Sequence, residues 1–339
     1  MSATARERSA TSANEIEMRI IYFASGQIAI PSFRWLMNSP HRVVAVVTQP
    51  DRPAGRKRRL APTPVRQFAL ETDVEVIQAE DVNDPDVVAG LLGRRADLGV
   101  SMSFGQKIRP ELLDGMPGGC LNIHPSLLPK CRGAAPVNWT IIRREQRTGV
   151  TVFRLTDRMD GGPVLTTRET AIKPNETAWE LEARLAGIAC DALDGALAQI
   201  GPDGPPPGQP QDDALATTAP KLTKEMGRIH LDQPAADLVA WVNGLYDWPA
   251  VQVAYVSRDG QRTQVRLARA SLSEERGGAP GQSPGAILDD GSIACLDGAI
   301  RILEIQPAGG RIMLWQDFVN GRRVQAGDRF ESLGPLGGD

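Results

Sequence analysis

The densest group of side chains able to do chemistry is Asn122-Ile123-His124-Pro125-Ser126-Leu127-Leu128-Pro129, followed by Arg132-Gly133. Its first residues read as the end of a β-strand, and strand alternation puts Asn122 and His124 on one side of it, so two polar groups converge. Asp160 lies downstream in Asp157-Arg158-Met159-Asp160-Gly161-Gly162, a loop between two strands. A carboxamide beside an imidazole, with a carboxylate in a neighbouring loop, suits acyl transfer: donors for a developing oxyanion, and a proton carrier oriented by an acid. From spacing alone the alternative stays open that Asn122 and His124 are a polar pair capping a strand and Asp160 a turn carboxylate.

What is missing narrows the chemistry. There is no Gly-x-Ser-x-Gly elbow, and Cys131 carries no local signature of a nucleophile, so covalent catalysis is disfavoured. Neither a phosphate-binding lysine loop nor Gly-x-Gly-x-x-Gly follows the first strand, which counts against nucleotide hydrolysis and dinucleotide binding. Cys120, Cys131, Cys190 and Cys295 form no C-x-x-C pair and read as reduced, structural thiols, with no metal site.

The elements that must position these groups alternate. Arg19 to Phe23, Ala29 to Met37 and Val43 to Thr48 read as strand, helix, strand; further strands are expected at Val74 to Ile77, Leu98 to Met102, Leu121 to His124, Thr148 to Leu155 and Val164 to Thr170. Helices are expected at Asp84 to Arg94, Arg109 to Leu113, Ala135 to Arg144 and Thr177 to Ile200, the last with Trp179, Leu181, Leu185, Ile188, Leu193 and Leu197 on its apolar side. This pattern predicts an α/β domain, a Rossmann-like parallel sheet covered on both faces, with substrate at the carboxyl ends of the strands. Gly201 to Gln211 is rich in Pro and Gly and reads as an extended connector. Beyond it, a helix at Ala235 to Leu245 precedes short strands at Gln252 to Tyr255, Gln264 to Leu267, Ala286 to Leu288, Ser292 to Leu296 and Ile300 to Ile305, a pattern that suits a small OB-like β-barrel. The expected division is a tail over 1–17, a catalytic domain over 18–200, a linker over 201–225, a barrel domain over 226–333 and a tail over 334–339.

Composition sets the outer bounds. The 339 residues are 41% hydrophobic and 23% charged, as in globular proteins, and no apolar run approaches the length of a membrane helix. The first 17 residues lack the apolar stretch of an export signal, so the expected location is cytoplasmic. Lys plus Arg is 38 and Asp plus Glu is 41, a net charge of −3, which excludes a protein that coats nucleic acid by bulk charge. That sum conceals Asp51 to Arg66, where Arg52, Arg56, Lys57, Arg58, Arg59 and Arg66 stand against Asp51 alone. The segment can grasp phosphates, or it is a solvated charge run.

Taken together, the Asn122 to Pro129 segment, Arg132-Gly133-Ala134-Ala135-Pro136, Thr148-Gly149-Val150-Thr151 and Met159-Asp160-Gly161-Gly162 closely resemble the folate-dependent formyltransferases. The resemblance implies that Asn122, His124 and Asp160 catalyse formyl transfer from 10-formyltetrahydrofolate to an amine, and that Ser126, Leu127, Leu128 and Pro129 border the folate. It implies Asn122 and His124 as oxyanion donors, with Asp160 orienting His124. Thr48 to Leu60 and Pro62 to Val65 look like the loop that the methionyl-tRNA branch of that family inserts after its second strand. By that likeness Arg52, Arg56, Lys57, Arg58 and Arg59 contact the acceptor stem of methionyl initiator tRNA, and Arg311, Arg322 and Arg323 either add contacts from the barrel or form a solvated face. Lys221-Leu222-Thr223-Lys224-Glu225, Asp247-Trp248-Pro249, Gly298-Ala299-Ile300, Gln306-Pro307-Ala308-Gly309 and Asp317-Phe318-Val319-Asn320-Gly321 carry the resemblance to about Leu333. A monomer is expected.

Three positions depart from the pattern. Ala24-Ser25-Gly26-Gln27 stands where Gly-Thr-Pro is usual, Asp247 replaces the usual Asn before a Pro-Trp-Pro shortened to Trp248-Pro249, and Pro125 replaces a Gly or other small residue. Two rivals share the chemistry: an N-formyltransferase acting on nucleotide amino sugars, against which the basic loop and the barrel count, and a hydrolase passing the formyl group to water. A third, of another class, is an RNA-binding protein with an inactive site, against which the intact trio counts.

Overall fold

The computed structural model describes residues 17–54, 59–274 and 283–334. The tails expected over 1–17 and 334–339 lie outside the described residues apart from Glu17 and Gly334. The amino-terminal half is built on a seven-stranded sheet. The strands and helices in chain order are β1 (Arg19–Ala24), α1 (Ile30–Met37), β2 (Arg42–Thr48), β3 (Arg52–Ala54), β4 (Arg59–Ala61), α2 (Pro64–Ala69), β5 (Val76–Gln78), α3 (Pro85–Leu92), β6 (Leu98–Met102), α4 (Pro110–Leu113), β7 (Cys120–His124), β8 (Arg132–Gly133), α5 (Pro136–Ile142), β9 (Arg147–Arg154), β10 (Val164–Ala171) and α6 (Ala178–Leu197). The sheet order is β10-β9-β7-β6-β1-β2-β5. From β5 to β7 it is parallel, but β9 pairs antiparallel with β7, and β10 antiparallel with β9. The sheet is therefore mixed, where uniform parallel strands were expected. Burial patterning marks a strand without marking its direction.

Alternation along each strand divides the core in two. Ile20, Tyr22 and Ala24 pack with α1 and α6, whereas Ile21 and Phe23 pack on the opposite face with Leu91 of α3 and Leu112 of α4. On β7, Leu121 and Ile123 join the first cluster and Cys120 the second, which puts Asn122 and His124 on the face of Cys120. The long helix α6 opens on a capping box: Thr177 accepts from the Glu180 N–H and Glu180 reaches back to the Thr177 N–H. Leu181, Leu185, Leu193 and Leu197 are buried along it and Ile188 is partly buried. Trp179, expected on the same apolar side, is 59% exposed. It belongs to the first turn of the helix, where helical period alone misplaced it.

The second half begins with β11 (Thr218–Ala219) and α7 (Ala235–Gly244), then β12 (Val251–Val256), β13 (Arg262–Leu272), β14 (Ile293–Ala294), β15 (Ala299–Pro307), β16 (Met313–Leu314), α8 (Trp315–Arg322) and β17 (Arg329–Ser332). These strands run β14-β15-β13-β12-β17, with β16 on the side of β15. Isolated bridges from Ala286 to Arg329 and from Ile287 to Ile293 link the two outer strands, so the antiparallel sheet is nearly closed. The strand expected at Ala286 to Leu288 survives only as those two bridges, and the one at Ser292 to Leu296 shrinks to β14. Neither β16, β17 nor α8 was anticipated from periodicity.

The halves meet across α5. Its Val137 and Ile141 lie in the core of the first domain, while Ala135, Trp139 and Ile142 pack against the core of the second. Asn138 donates to the Gly244 carbonyl at 2.8 Å, Trp139 Nε1 donates to the Pro220 carbonyl at 2.8 Å, and the Trp139 and Trp241 rings meet edge to face with centroids 6.0 Å apart. Among the described residues no helix is long and apolar enough to cross a membrane.

Candidate active site

The site lies where β7 ends. His124 is buried, and its Nε2 lies 2.9 Å from the Cys131 carbonyl. A carbonyl only accepts, so this hydrogen bond puts a proton on Nε2. The other nitrogen, Nδ1, faces Asp160 Oδ2 at 3.8 Å. That separation exceeds a direct hydrogen bond, and the two groups stand opposite one another across a gap that a modest shift would close. Asn122 is half-buried on the same strand, and its carboxamide has no hydrogen-bond partner among the described residues. Sequence reasoning expected both Asn122 and His124 to donate to an oxyanion. In this geometry both imidazole nitrogens already face protein oxygens, and Asn122 is the donor left over.

Asp160 is held from two directions. Its Oδ2 accepts the Gly133 N–H at 2.8 Å, and its backbone sits in the left-handed region with φ of 48°. Gly133 has φ of 129°, and a Cβ there would lie 2.5 Å from the Ala219 carbonyl oxygen, so only glycine lets β8 pair with β11 and present that N–H to Asp160.

The Ser126 to Pro129 turn follows directly. Ser126 is buried, its hydroxyl donating to the Lys130 carbonyl at 2.7 Å, and Thr151 Oγ1 donates to the Ser126 carbonyl at 2.7 Å while accepting the Leu128 N–H at 3.2 Å. Ser126 therefore closes the turn with its side chain, and Leu127, Leu128 and Pro129 are the half-buried residues that can border a ligand. Thr151, opposite His124 in the β7–β9 register, is a support that sequence reasoning quoted in a motif without giving it a part.

The basic segment begins as the antiparallel hairpin β3–β4, in which Arg52 and Arg59 are exposed; Arg56, Lys57 and Arg58 lie outside the described residues. Arg66 is not available to a ligand in the same way, since its Nη1 meets Asp51 Oδ2 at 2.7 Å. The hairpin base is pinned: Thr48 Oγ1 and Thr63 Oγ1 are 2.6 Å apart, and Thr63 caps α2. Ser25, one of the departures, takes part in this pinning by accepting the Gln49 N–H at 3.1 Å. Arg311, Arg322 and Arg323 are exposed and outside every ion pair among the described residues, the last two closing α8.

Three of the thiols are held in the protonated form. Burial pushes the Cys120 thiol far up, raises Cys190, and takes Cys295 to about 12, so none of these offers a thiolate near neutrality. No group of three or more His, Cys, Asp and Glu side chains among the described residues is placed to hold a metal ion.

Comparison with known proteins identifies the family and the fold. Residues 18–197 match the family model described as formyl transferase, and residues 221–323 match that of the formyl transferase carboxyl-terminal domain. The methionyl-tRNA formyltransferase of Solibacter usitatus is 38% identical over 314 residues, covering 92% of this chain and 98% of that protein. That of Geobacter metallireducens is 37% identical over 312 residues, covering 92% and 98%. Among solved structures, an N-formyltransferase from Helicobacter canadensis, in complex with folinic acid and dTDP-3-aminofucose, superimposes with a TM-score of 0.60 at 14% identity, covering 86% of this chain and 100% of that one. HypX from Aquifex aeolicus, in complex with tetrahydrofolic acid, gives 0.56 at 19% identity, covering 90% of this chain and 47% of that one. At such identities the structural likeness speaks for the fold.

Proposed function

The chain belongs to the methionyl-tRNA formyltransferase family, and on that premise we propose that it transfers the formyl group of 10-formyltetrahydrofolate to the α-amino group of methionine esterified to initiator tRNA. The observation that carries the reading is the placement at the end of β7 of an Asn122 carboxamide with no partner among the described residues, the buried His124 and the Asp160 carboxylate. The residues present fit the donor: a free amide donor suits an oxygen gaining negative charge, and the half-buried Leu127, Leu128 and Pro129 suit the rim of a flat ring system. When bound, the folate supplies a formyl carbon already activated by its attachment to N10.

The acceptor supplies its own nucleophile. An α-amine has a pKa of about 7.7, lowered further by the adjacent ester, so a neutral amine is present near pH 7. No protein nucleophile is required. Asn122 donates to the formyl oxygen as charge develops there, which is the interaction that strengthens towards the transition state. The His124–Asp160 pair takes the proton released by the attacking nitrogen, directly or through water, and a proton returns to N10 as its bond to carbon breaks. The pair ends as it began. Arg52, Arg56, Lys57, Arg58 and Arg59 hold the acceptor-stem phosphates, and base-independent contacts of this kind position the aminoacyl end. The protein acts as a monomer in the cytoplasm.

The reading is tested by incubating the protein with 10-formyltetrahydrofolate and either methionyl initiator tRNA or a panel of nucleotide amino sugars, and following formylated product. Formylmethionyl-tRNA is the expected product. Transfer to the sugars alone would overturn the assignment, as would folate turnover that needs no acceptor.

A further inference from the structure

We infer that Gln211, in the segment between the two domains, is a positioning residue for the catalytic carboxylate. The Gln211 carboxamide is fully used, and all its partners belong to the site. Its Nε2 donates to the carbonyls of Asp160 at 2.8 Å and Gly162 at 2.7 Å. Its Oε1 accepts from Arg132 Nε at 3.0 Å and Nη2 at 2.7 Å. One side chain thus ties the loop carrying Asp160 to the residue immediately before Gly133, whose N–H holds the Asp160 carboxylate. Asp160 adopts a left-handed backbone, uncommon outside glycine, and the bond from Gln211 to the Asp160 carbonyl holds it there.

The connecting segment is itself fixed on both sides of Gln211. Gln209 exchanges two backbone hydrogen bonds with Val164, at 2.8 and 2.7 Å. Arg132 and Arg158 both reach Asp213, at 2.9 and 2.6 Å. Further on, Thr217 Oγ1 accepts the Cys131 N–H at 2.9 Å and the Thr217 carbonyl accepts the Arg132 N–H at 2.8 Å. Cys131 is the residue whose carbonyl orients His124. The same stretch of chain therefore sets Asp160 through Gln211 and His124 through Cys131.

This inference rests on the formyl-transfer reading of the site. Gln211→Glu is the informative variant, because a carboxylate keeps the acceptor for Arg132 but turns a second oxygen towards the Asp160 and Gly162 carbonyls, replacing two attractions by two repulsions. Gln211→Met keeps the size and removes both sets of hydrogen bonds. Steady-state formylation of methionyl initiator tRNA is measured for each, with the melting temperature. In both variants kcat is expected to fall about 10- to 100-fold, as for a displacement of about 1 Å in a reacting group, while KM for tRNA and for folate stays within about threefold and the melting temperature within about 3 °C. A kcat within twofold of the parent in either variant would overturn the assignment, and so would a loss of activity that tracks a rise in both KM values or a collapse of the melting temperature. A parent protein that makes no formylmethionyl-tRNA would instead sink the functional reading itself.

Discussion

At the scale of single residues, the geometry separates two kinds of contribution. The Asn122 side chain has no partner among the described residues, so deleting its amide should spare the fold and remove only a bond made as charge develops. Asn122→Ala is expected to lower kcat about 10²- to 10³-fold with little change in tRNA binding, the usual cost of one oxyanion donor. His124 differs because it is buried between the Cys131 carbonyl and Asp160. His124→Ala should lower kcat about 10²- to 10⁴-fold. Single-turnover formylation alongside a tRNA binding isotherm checks both, and near-normal turnover in either variant removes that residue from the mechanism. The trio was legible in the sequence because three types of polar group stood at a strand end and in a glycine-closed loop. Gln211 was not, since a carboxamide in a Pro-rich stretch has neither periodicity nor a motif to mark it, and its importance comes entirely from what lies across the fold. The Cys131 carbonyl was invisible for a related reason, being backbone.

Among elements, the basic hairpin and the barrel each make a separable prediction. Replacing Arg52, Arg56, Lys57, Arg58 and Arg59 by Ala should raise the KM for tRNA about tenfold or more and flatten its dependence on salt, because every phosphate that the loop no longer neutralises keeps about one condensed counterion. An unchanged salt slope would assign phosphate binding elsewhere. Arg66 is left out because Asp51 already neutralises it. In the barrel, Asp328 is 3% exposed and accepts from the Tyr255 hydroxyl at 2.5 Å, the Arg258 N–H at 2.8 Å and the Gln325 N–H at 3.1 Å. Burial pushes its pKa up, but these three bonds together outweigh burial and hold it below the ordinary carboxylate value. A depressed acid stabilises the fold above its unfolded pKa of about 3.9, and that stability disappears as pH falls through the lower folded value. Asp328→Asn should therefore be less stable than the parent at pH 7 and lose less further stability below about pH 4; chemical denaturation at a series of pH values reads both effects. Most helices and parallel strands were foreseeable from period. Strand direction at β9 and β10 was not, because period carries no direction; nor were the brief β16 and α8, too short to show a period, or β17, whose partner β12 lies far back in the chain.

For the whole molecule, α5 matters most, because it leaves the catalytic segment and fills the seam. Trp139 touches Trp241 and the Pro220 carbonyl and stacks under the Arg143 guanidinium, 5.2 Å from its ring. Trp139→Ala is expected to cost about 2 kcal/mol, below the range for a fully buried tryptophan because this one is only partly covered. It should also loosen the two domains, seen as faster amide exchange at both Asn138 and Gly244. Unchanged exchange on either side would show that the domains do not rely on this contact. The binding of the connecting segment to the catalytic loops has a consequence for the order in which the enzyme matures. During synthesis the ribosome delivers β7 and the Asp160 loop well before Gln211 and Thr217, and domains fold in the order they emerge. On the proposed reading, a nascent chain can thus own Asn122, His124 and Asp160 and still be idle, becoming competent only when translation has carried it past its own first domain.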